Sequence, residues 1–593
     1  MIVFGDAPRQ TIVRREIEAV RGFLGSVDSA SGIERHGFLV SALVTAGELQ
    51  QGVEDAMSEQ PGAPIAAADD AADAADAARA ATLALARAVC RSWNAEFRAE
   101  EDASLADARR HLAGLGAAAD EVPLRVKRPE GFAHYAVYPE AYALAARELP
   151  TDGPLRVVGI RSIGTTLAAI VAAATDAASP VTVRPGGHPF RRELPGDDML
   201  GGDPVAAGDP VYAVVDEGPG LSGSSMAAVA GRLEAAGIDL ARIHLLPSHA
   251  GEPGPEASVE TRRIWAVAPR HVRTFDDLVL RAASPAHRLP AWAEDLTGPV
   301  LGEPVEVSGG GWRRFQPVRP AGWAPANAWQ ERRKFLLRTG NGTWLLRFAG
   351  LDRAGREAFR IAQTLGEAGF SPEPAGWRHG FTVERWLDDA RPLGAGEPVR
   401  PGFADRLGEY LGFRARTFPA QRGAGASGEA LRVMALANVA EALGEDAAAR
   451  LAPLLAEPER LDRRVRPVRT DNRLHPWEWL DVGGRLLKTD AADHGAGHDL
   501  IGAQDIAWDV AGAIVEFGLT DGDRAVLVRA VERESGRSVD DGLLAFLLPC
   551  YLAFQLGAYT LAVGSAPDPA EAGRLRAAAA RYRDRLALMI GEL

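Results

Sequence analysis

Cysteine is almost absent from this chain, whose 593 residues include only Cys90 and Cys550. Two widely separated cysteines without a partner motif exclude a disulfide framework and a cysteine-based zinc site. The same scarcity is typical of a reducing compartment, so a cytoplasmic location is expected.

Basic residues are also in deficit, because 66 Lys and Arg stand against 80 Asp and Glu and leave a net charge of −14. This balance argues against a nucleic-acid partner or an anionic membrane surface.

Long apolar runs are rare as well. The N-terminal residues carry charges too early for a secretory signal. Residues 543–563 form one uncharged run that is long enough to cross a bilayer. Pro549 and Gln555 interrupt this run and no basic flank follows it closely, so we predict a buried core helix and no membrane partner.

Glycine and proline are plentiful, with 64 and 39 residues, but they follow no period, which excludes collagen and indicates many turns. The length and the shifts in composition predict three parts. Residues 1–120 have the spacing of helices. Residues 121–290 alternate apolar strands with Ala-rich helices, the pattern of an α/β domain with a parallel sheet. Residues 291–593 hold ten of the twelve tryptophans and place a few strands before a long helical part.

The local patterns in the middle part predict five strands and two helices. The strands are expected at 155–160, 181–184, 211–215, 242–246 and 263–268, and the helices at 166–174 and 225–236.

An acidic pair followed by a Gly/Ser-rich loop is the most informative motif. The strand at 211–215 ends in Asp216 and Glu217, the loop runs through residues 218–225, and a helix follows directly. Loop amides at a helix N-terminus bind anions, and glycines let the backbone approach them closely. Adjacent carboxylates accept hydrogen bonds from a sugar diol. The motif lacks the Gly-Lys-Ser/Thr of a Walker A loop, and an ordinary strand-to-helix turn remains the alternative.

This motif resembles the phosphoribosyl pyrophosphate (PRPP) motif of type I phosphoribosyltransferases, although the spacer is one residue longer and Ser replaces Thr. The resemblance implies that Asp216 and Glu217 hold the ribose hydroxyls as catalytic residues. It implies PRPP as substrate, Mg²⁺ as cofactor, and displacement of pyrophosphate from ribose C1 by a small-molecule acceptor. The residues that would cradle the 5′-phosphate are Gly220, Leu221, Ser222, Gly223, Ser224 and Ser225.

The resemblance extends to three neighbouring segments. The loop at 159–166 takes the place of the pyrophosphate loop, with a plain strand-to-helix turn as the alternative. Residues 181–194 take the place of a mobile basic flap, with a solvated hairpin as the alternative. Residues 129–142 take the place of a hood over the acceptor, with core packing as the alternative. The residues predicted to bind pyrophosphate are Arg161, Ser162, Gly164, Thr165, Arg184 and Arg191, with His188 and Arg192 beside them on the flap.

Residues 312–593 resemble aminoglycoside phosphotransferase-like kinases. Strands at 334–338, 343–348 and 380–387 and a helix at 353–368 match the small lobe. Arg347 takes the place of the phosphate-pairing Lys, with Glu357 or Glu367 as its ion-pair partner. Glu384 lies in the strand that leads to the hinge. The resemblance therefore implies an ATP site that includes Arg347 and Glu384.

The segment LHPWEWL resembles the family's catalytic loop, with departures. Arg473 aligns with the catalytic Asp, and Arg cannot accept a proton, so Asp471 is the predicted substitute. Glu478 and Asp490 are the predicted magnesium ligands, and Asp509 is expected to brace the loop. An active phosphotransferase, an inactive nucleotide-binding domain and an unrelated helical domain all stay open.

Asp493, His494, His498 and Asp499 cluster in the sequence, either as a loop lining the cleft or as a metal site. Together the motifs predict a cytoplasmic bifunctional enzyme, which couples phosphoribosyl transfer to an ATP-dependent phosphotransferase. The alternative is a PRPP-sensing regulator or scaffold with an inactive kinase-like domain. A homodimer stays open.

Overall fold

The computed structural model describes residues 1–4, 8–59, 68–98, 102–194, 210–328, 330–397, 400–492, 494 and 500–591. The chain is a mixed α/β protein, which confirms the predicted class at that level. Its first part is helical, as predicted, and is closed by a two-stranded antiparallel pair. The elements of this part are β1 (Arg9–Ile12), α1 (Val13–Ser29), α2 (Gly32–Glu59), α3 (Ala68–Asn94), α4 (Ala103–Ala119) and β2 (Pro123–Val126).

The second part contains a four-stranded parallel sheet and a separate β-hairpin. The sheet order is β4-β3-β7-β8, with Val157 opposite Ala213 and Ala213 opposite His244. The elements are α5 (Glu130–Ala133), α6 (Pro139–Ala146), β3 (Leu155–Ile160), α7 (Ile163–Thr175), β4 (Val181–Val183), β5 (Gly186–His188), β6 (Arg191–Glu193), β7 (Val211–Val215), α8 (Ser224–Ala235), β8 (Ile243–Leu246), α9 (Val259–Val267) and α10 (Leu289–Thr297).

The strand predicted at 263–268 is wrong, because that segment is the second half of α9. Ser258 caps the helix by accepting a hydrogen bond from the backbone N–H of Thr261 at 3.1 Å. Thr261, Ile264 and Trp265 are buried at helical spacing, whereas Val267 is exposed. The apolar residues therefore belong to one face of a helix. A segment as short as 263–268 does not reveal that helical spacing.

The third part opens with a five-stranded antiparallel sheet in the order β12-β13-β11-β10-β9 and continues as a helical part with a small three-stranded sheet. The elements are β9 (Val305–Glu306), β10 (Lys334–Thr339), β11 (Gly342–Phe348), α11 (Arg353–Glu367), β12 (Pro374–Arg378), β13 (Phe381–Arg385), β14 (Arg391–Pro392), α12 (Phe403–Thr417), α13 (Gly428–Leu443), α14 (Glu445–Leu451), α15 (Pro458–Asp462), β15 (Trp479–Val482), β16 (Arg485–Lys488), α16 (Ala507–Phe517), α17 (Asp521–Ser535), α18 (Asp541–Val563) and α19 (Pro569–Gly591).

Helix α18 carries the long apolar run, and among the described residues it is the one helix whose length and composition would suit a membrane span. Most of its apolar window, 72%, is buried against other parts of the chain. It packs on α13, α16 and α19. Helix α18 is thus a buried core helix, as Pro549 and Gln555 within its apolar run predicted.

One hydrophobic core connects all three parts of the chain. It includes Leu43 on α2, Leu85 on α3, Ile170 on α7, Ala213 on β7 and Phe348 on β11. A smaller core lies between the other face of the parallel sheet and helices α8 and α9, and a third fills the C-terminal helical part. The predicted boundaries near residues 120 and 290 therefore separate segments that share a core.

Candidate active sites

The first candidate site lies where the order of the parallel strands reverses. Strand β3 comes first along the chain, β4 pairs on one side of it and β7 on the other. In open α/β sheets, such a switch point leaves a crevice at the carboxyl ends of the strands, and ligands bind there. The loop after β3 begins at Arg161 and the loop after β7 begins at Asp216. The structure therefore brings together the two loops that the sequence predicted.

Glycines let the two loops approach each other closely. A Cβ atom at Gly164, in the first turn of α7, would lie 2.5 Å from the carbonyl oxygen of Val215. A Cβ at Gly159 would meet the backbone of Gly164. Helix α7 consequently starts directly against the end of β7, next to Asp216.

The acidic pair is half-buried and held by backbone contacts. Asp216 Oδ1 accepts a hydrogen bond from the backbone N–H of Glu217 at 2.8 Å, and Glu217 Oε2 accepts one from the backbone N–H of Gly131 at 3.1 Å. Tyr142 donates its hydroxyl hydrogen to the carbonyl of Asp216 at 2.9 Å. Neither carboxylate forms an ion pair within the described ranges.

Burial without a cationic partner changes the acidity of both groups. Loss of solvation raises the pKa of Asp216 to about 7. Loss of solvation, with the neighbouring Asp216 charge, raises the pKa of Glu217 to about 8. Carboxylates in this state retain open acceptor positions and gain from a hydroxyl donor or a divalent cation. The donor set at this site therefore fits ribose hydroxyls and a magnesium ion.

The Gly/Ser loop ends at the N-terminus of α8, as predicted. Ser222 and Ser224 are buried with their hydroxyl oxygens 3.0 Å apart, and Ser225 is half-buried. Gly223 has φ +62°, and a Cβ there would lie 2.8 Å from Trp265 Nε1, so glycine is required. Leu221 points outward and is 59% exposed. The first turn of α8 directly follows this loop, and the N-terminus of a helix favours anions.

The predicted flap is a hairpin, made of β5 and β6. The carbonyl of Pro189, at its tip, accepts a weak hydrogen bond from Ser224 Oγ at 3.4 Å, which places the hairpin beside the loop. Arg191 is exposed on β6. Residues 195–209 lie outside the described part.

Two of the predicted pyrophosphate-binding arginines are already paired with helix α2. Arg161 contacts Asp55 at 2.8 Å and Glu54 at 3.6 Å, and its side chain is buried. Arg184 Nε donates to the same Asp55 at 2.8 Å. The structure therefore assigns these guanidinium groups to the packing of α2 against β3 and β4. Ser162, just before the first turn of α7, is half-buried, whereas Gly164 and Thr165 in that turn are buried.

The predicted hood, residues 129–142, packs mainly into the core. Phe132, Tyr138 and Tyr142 are buried, and Tyr135 is exposed. The carbonyl of Phe132 accepts a hydrogen bond from the backbone N–H of Leu351 at 2.9 Å. The turn that contacts Glu217 through Gly131 is thus supported by the C-terminal sheet.

The second candidate site is a cleft between the antiparallel sheet and the segment that carries β15 and β16. Its empty volume is about 1020 Å³, including space open to solvent. Arg347, Glu384, Glu478 and Asp490 all line it, as the resemblance implied. Aromatic and basic residues that the sequence did not single out line it too: Trp312, Lys334, Trp386 and Trp477.

Ion pairs connect the two sides of this cleft. Arg347 pairs with Asp490 at 2.7 Å, and Lys334 lies 3.7 Å from Asp490 and 3.1 Å from Glu331. Lys334 is directly opposite Arg347 in the β10–β11 register. Pairing these two strands as a hairpin in the sequence could therefore have identified Lys334 as a residue of this site. Glu357, proposed as a partner of Arg347, pairs instead with Arg360 at 2.7 Å.

Asp471, the predicted catalytic base, is fully buried behind the cleft. Its carboxylate accepts a hydrogen bond from the hydroxyl of Tyr410 and lies 3.5 Å from Lys488 Nζ. Burial raises the pKa of Asp471, but Lys488, His494 and Arg414 together outweigh this effect and hold the pKa low. Asp509 accepts the backbone N–H groups of Asp471 and Asn472 at 2.7 and 3.0 Å, which is the predicted brace. Asp471 therefore supports the loop and does not face a substrate.

The residues predicted to hold magnesium do not fit that ion. Lys488 Nζ donates to Glu478 Oε2 and to the carbonyl of Thr489, both at 2.8 Å, and Arg473 lies 3.4 Å from Glu478 Oε1. Glu478 and Asp490 are thus each flanked by two cationic side chains. Mg²⁺ requires open oxygen ligands in octahedral geometry, so the magnesium prediction for this pair is not supported by their surroundings.

The His/Asp cluster is described only in part. His494 lies 3.9 Å from Asp471 and 3.8 Å from Asp490, which places it at the inner edge of the cleft. Asp493, His498 and Asp499 lie outside the described residues.

Three solved structures resemble part of the chain. Choline kinase LicA from Streptococcus pneumoniae is 14% identical, with a TM-score of 0.30, and covers 42% of this chain and 89% of its own. A choline/ethanolamine kinase family protein from Mesorhizobium loti is 19% identical, with a TM-score of 0.28, and covers 43% of this chain and 90% of its own. Spectinomycin phosphotransferase with ADP and spectinomycin is 10% identical, with a TM-score of 0.33, and covers 51% of this chain and 98% of its own. No protein-family model and no curated protein sequence matches the chain.

Proposed function

We propose that the switch-point site catalyses phosphoribosyl transfer from PRPP to a small-molecule acceptor. The observation that carries this proposal is the position of two half-buried carboxylates between a Gly/Ser loop and the start of α7, with no ion-pair partner among the residues that the structure describes. This arrangement offers acceptors for a sugar diol and backbone donors for two phosphate groups at one crevice.

Each element has a defined role in this reaction. Asp216 and Glu217 accept hydrogen bonds from the ribose hydroxyls. Backbone N–H groups and hydroxyls within residues 220–225 hold the 5′-phosphate, and the amides of residues 162–164 face the pyrophosphate. The amides of Gly223 and Thr165 already donate to backbone carbonyls. A lone pair of the acceptor forms the new bond to ribose C1 while the C1–O bond breaks. Pyrophosphate leaves with the electron pair of the broken C1–O bond. Magnesium, when bound, neutralises charge on the pyrophosphate.

Pyrophosphate release tests the proposal. The full chain is incubated with PRPP, Mg²⁺ and a panel of nitrogen-containing acceptors, and pyrophosphate is measured. We expect acceptor-dependent release that falls at least 100-fold in Asp216→Asn/Glu217→Gln, because positioned charge stabilisation contributes about that much. Glu256→Gln is the matched control and retains activity, because its side chain is exposed and only its backbone N–H contacts the loop, at Leu221 O. Undiminished release in the double variant refutes the assignment.

We also propose that the second cleft binds a nucleotide. Its aromatic and basic lining suits a planar base and a phosphate chain. Calorimetry with ATP and ADP tests this proposal, with Arg347→Met expected to weaken binding at least tenfold and the exposed Arg360→Met expected to leave it unchanged. Transfer of phosphate from labelled ATP to small hydroxyl or amine compounds is measured with the same protein. Absence of nucleotide binding refutes the proposal.

A further inference from the structure

A buried cluster outside both candidate sites joins the three parts of the chain. His36 on α2, Glu140 on α6 and His379 in the turn between β12 and β13 each offer one ligand atom, and these atoms lie within 4.8 Å of one another. Their side chains are at most 1% exposed. His36 Nε2 lies 2.7 Å and His379 Nε2 3.1 Å from the same atom, Glu140 Oε1.

The polar atoms of this cluster are incompletely satisfied. Within the described residues, Glu140 Oε2 and both ring nitrogens of His379 have no aligned hydrogen bond, although His379 Nε2 is close to the carboxylate. Each buried polar atom without a partner is costly. His36, in contrast, is oriented from behind, because its Nδ1 lies 3.0 Å from Ser92 Oγ.

The charge of Glu140 also lacks a compensating Lys or Arg, since its ion-pair contacts in the described ranges are the two histidines. An imidazolium at His379 would supply the charge but would leave a charged Nδ1–H group buried without an acceptor. With both imidazoles neutral, the buried carboxylate has no compensating charge. A divalent cation between the three side chains removes the charge problem and uses the lone pair of His379 Nε2.

We propose that His36, Glu140 and His379 bind a divalent transition-metal ion, of which zinc is the probe. Two imidazole nitrogens and one carboxylate oxygen are a donor set that zinc accepts. Ser92 holds the His36 ring from its second nitrogen, as partners of metal-bound histidines commonly do. The rings of Tyr138 and Trp292 pack edge-on to His379, 4.9 and 5.0 Å away between centroids.

A neighbouring cavity reaches one member of this cluster, Glu140. It has an empty volume of about 770 Å³, including space open to solvent, lies between α3, α6 and α7, and is also lined by Arg87, Arg91 and Arg147. Because the three ligands come from the first, second and third parts of the chain, the ion would fasten those parts together.

Metal analysis of the full chain tests this inference. The protein is stripped with a chelator and titrated with Zn²⁺ and with Co²⁺, and content is measured by mass spectrometry and by the visible absorption of bound cobalt. We expect uptake of close to one ion per chain and a higher melting temperature in its presence. His379→Gln and Glu140→Gln keep the side-chain size, should fold, and lose the cobalt signal. His188→Ala, on the exposed hairpin, keeps it.

Two results overturn the inference. One is failure of the stripped wild-type chain to take up either ion. The other is full uptake by His379→Gln and Glu140→Gln. In that case, loss of uptake in His494→Ala would place the ion in the second cleft. Neither result bears on pyrophosphate release or nucleotide binding.

Discussion

Neutralising Asp216 should stabilise the ligand-free protein at alkaline pH. Burial raises the pKa of Asp216 from 3.8 to about 7. The folded state therefore binds a proton that the unfolded state has lost, so stability from this group is greatest below pH 3.8 and falls as the pH rises towards 7. Above pH 7 the folded protein carries the full cost of the buried charge, and Asp216→Asn removes it.

The size of this effect follows from the pKa shift. About three pKa units at about 1.4 kcal/mol each give an upper limit of about 4 kcal/mol. Because Asp216 keeps partial contact with solvent, we expect about 1–2 kcal/mol. Asn Oδ1 can still accept the hydrogen bond from Glu217, so little else is lost. Because the three parts share one core, the 593 residues are expected to unfold together. At about 2.1 cal/mol/K per residue, the melting temperature should then rise by about 1 °C per kcal/mol.

The assay is thermal unfolding of wild type and Asp216→Asn from pH 4 to pH 9 without ligand. The difference between them should grow through pH 4–8 and then stay constant, because the Asp216 charge also raises the pKa of Glu217, to about 8. Asp152→Asn, at an exposed acid, should match the wild type throughout. An Asp216→Asn protein that is less stable than the wild type at pH 9, or a difference that does not vary with pH, contradicts the account of this site.

Three further outcomes are expected. A fragment ending at residue 290 should aggregate on size-exclusion chromatography, because it exposes the core surface that Phe335, Leu346 and Phe348 cover; a monomeric, cooperatively folded fragment would contradict the shared core. Gly164→Ala should lower the free energy of unfolding in urea by about 1–3 kcal/mol, because its Cβ would meet Val215 O. The control, Gly114→Ala, lies in open space on α4 and should leave the free energy of unfolding unchanged or raise it by up to about 1 kcal/mol. ATP binding should change less than about threefold (~0.7 kcal/mol) between Mg²⁺ and EDTA, because cations of the chain already flank Glu478 and Asp490; strict dependence on Mg²⁺ would refute the poor fit described for that ion.

Local patterns predicted the parts of the fold that depend on local chemistry. Strands β3, β7 and β10, the Gly/Ser loop and the acidic pair lie where apolar runs and turn residues indicated. Strand alternation predicted a parallel sheet, and the structure shows both loops at the edge where the carboxyl ends of parallel strands meet.

Contacts between distant segments could not be predicted in the same way. Asp55, the partner of Arg161, lies 106 residues before it in the sequence, so a basic residue in a candidate loop could not be distinguished from one that packs against a helix. The shared core is likewise invisible to composition, because Leu43 and Phe348 each fit a separate local element. Asp471 fitted the catalytic loop by spacing, but only the structure shows Tyr410 and Lys488 closing around it.

Hydrogen exchange with and without PRPP and Mg²⁺ tests the central claim most directly, because it needs no knowledge of the acceptor. The account predicts slowed exchange in peptides covering both residues 161–166 and residues 216–226, and loss of this protection in Asp216→Asn/Glu217→Gln. Unchanged exchange in both segments at saturating PRPP, or protection confined to the second cleft, would contradict it.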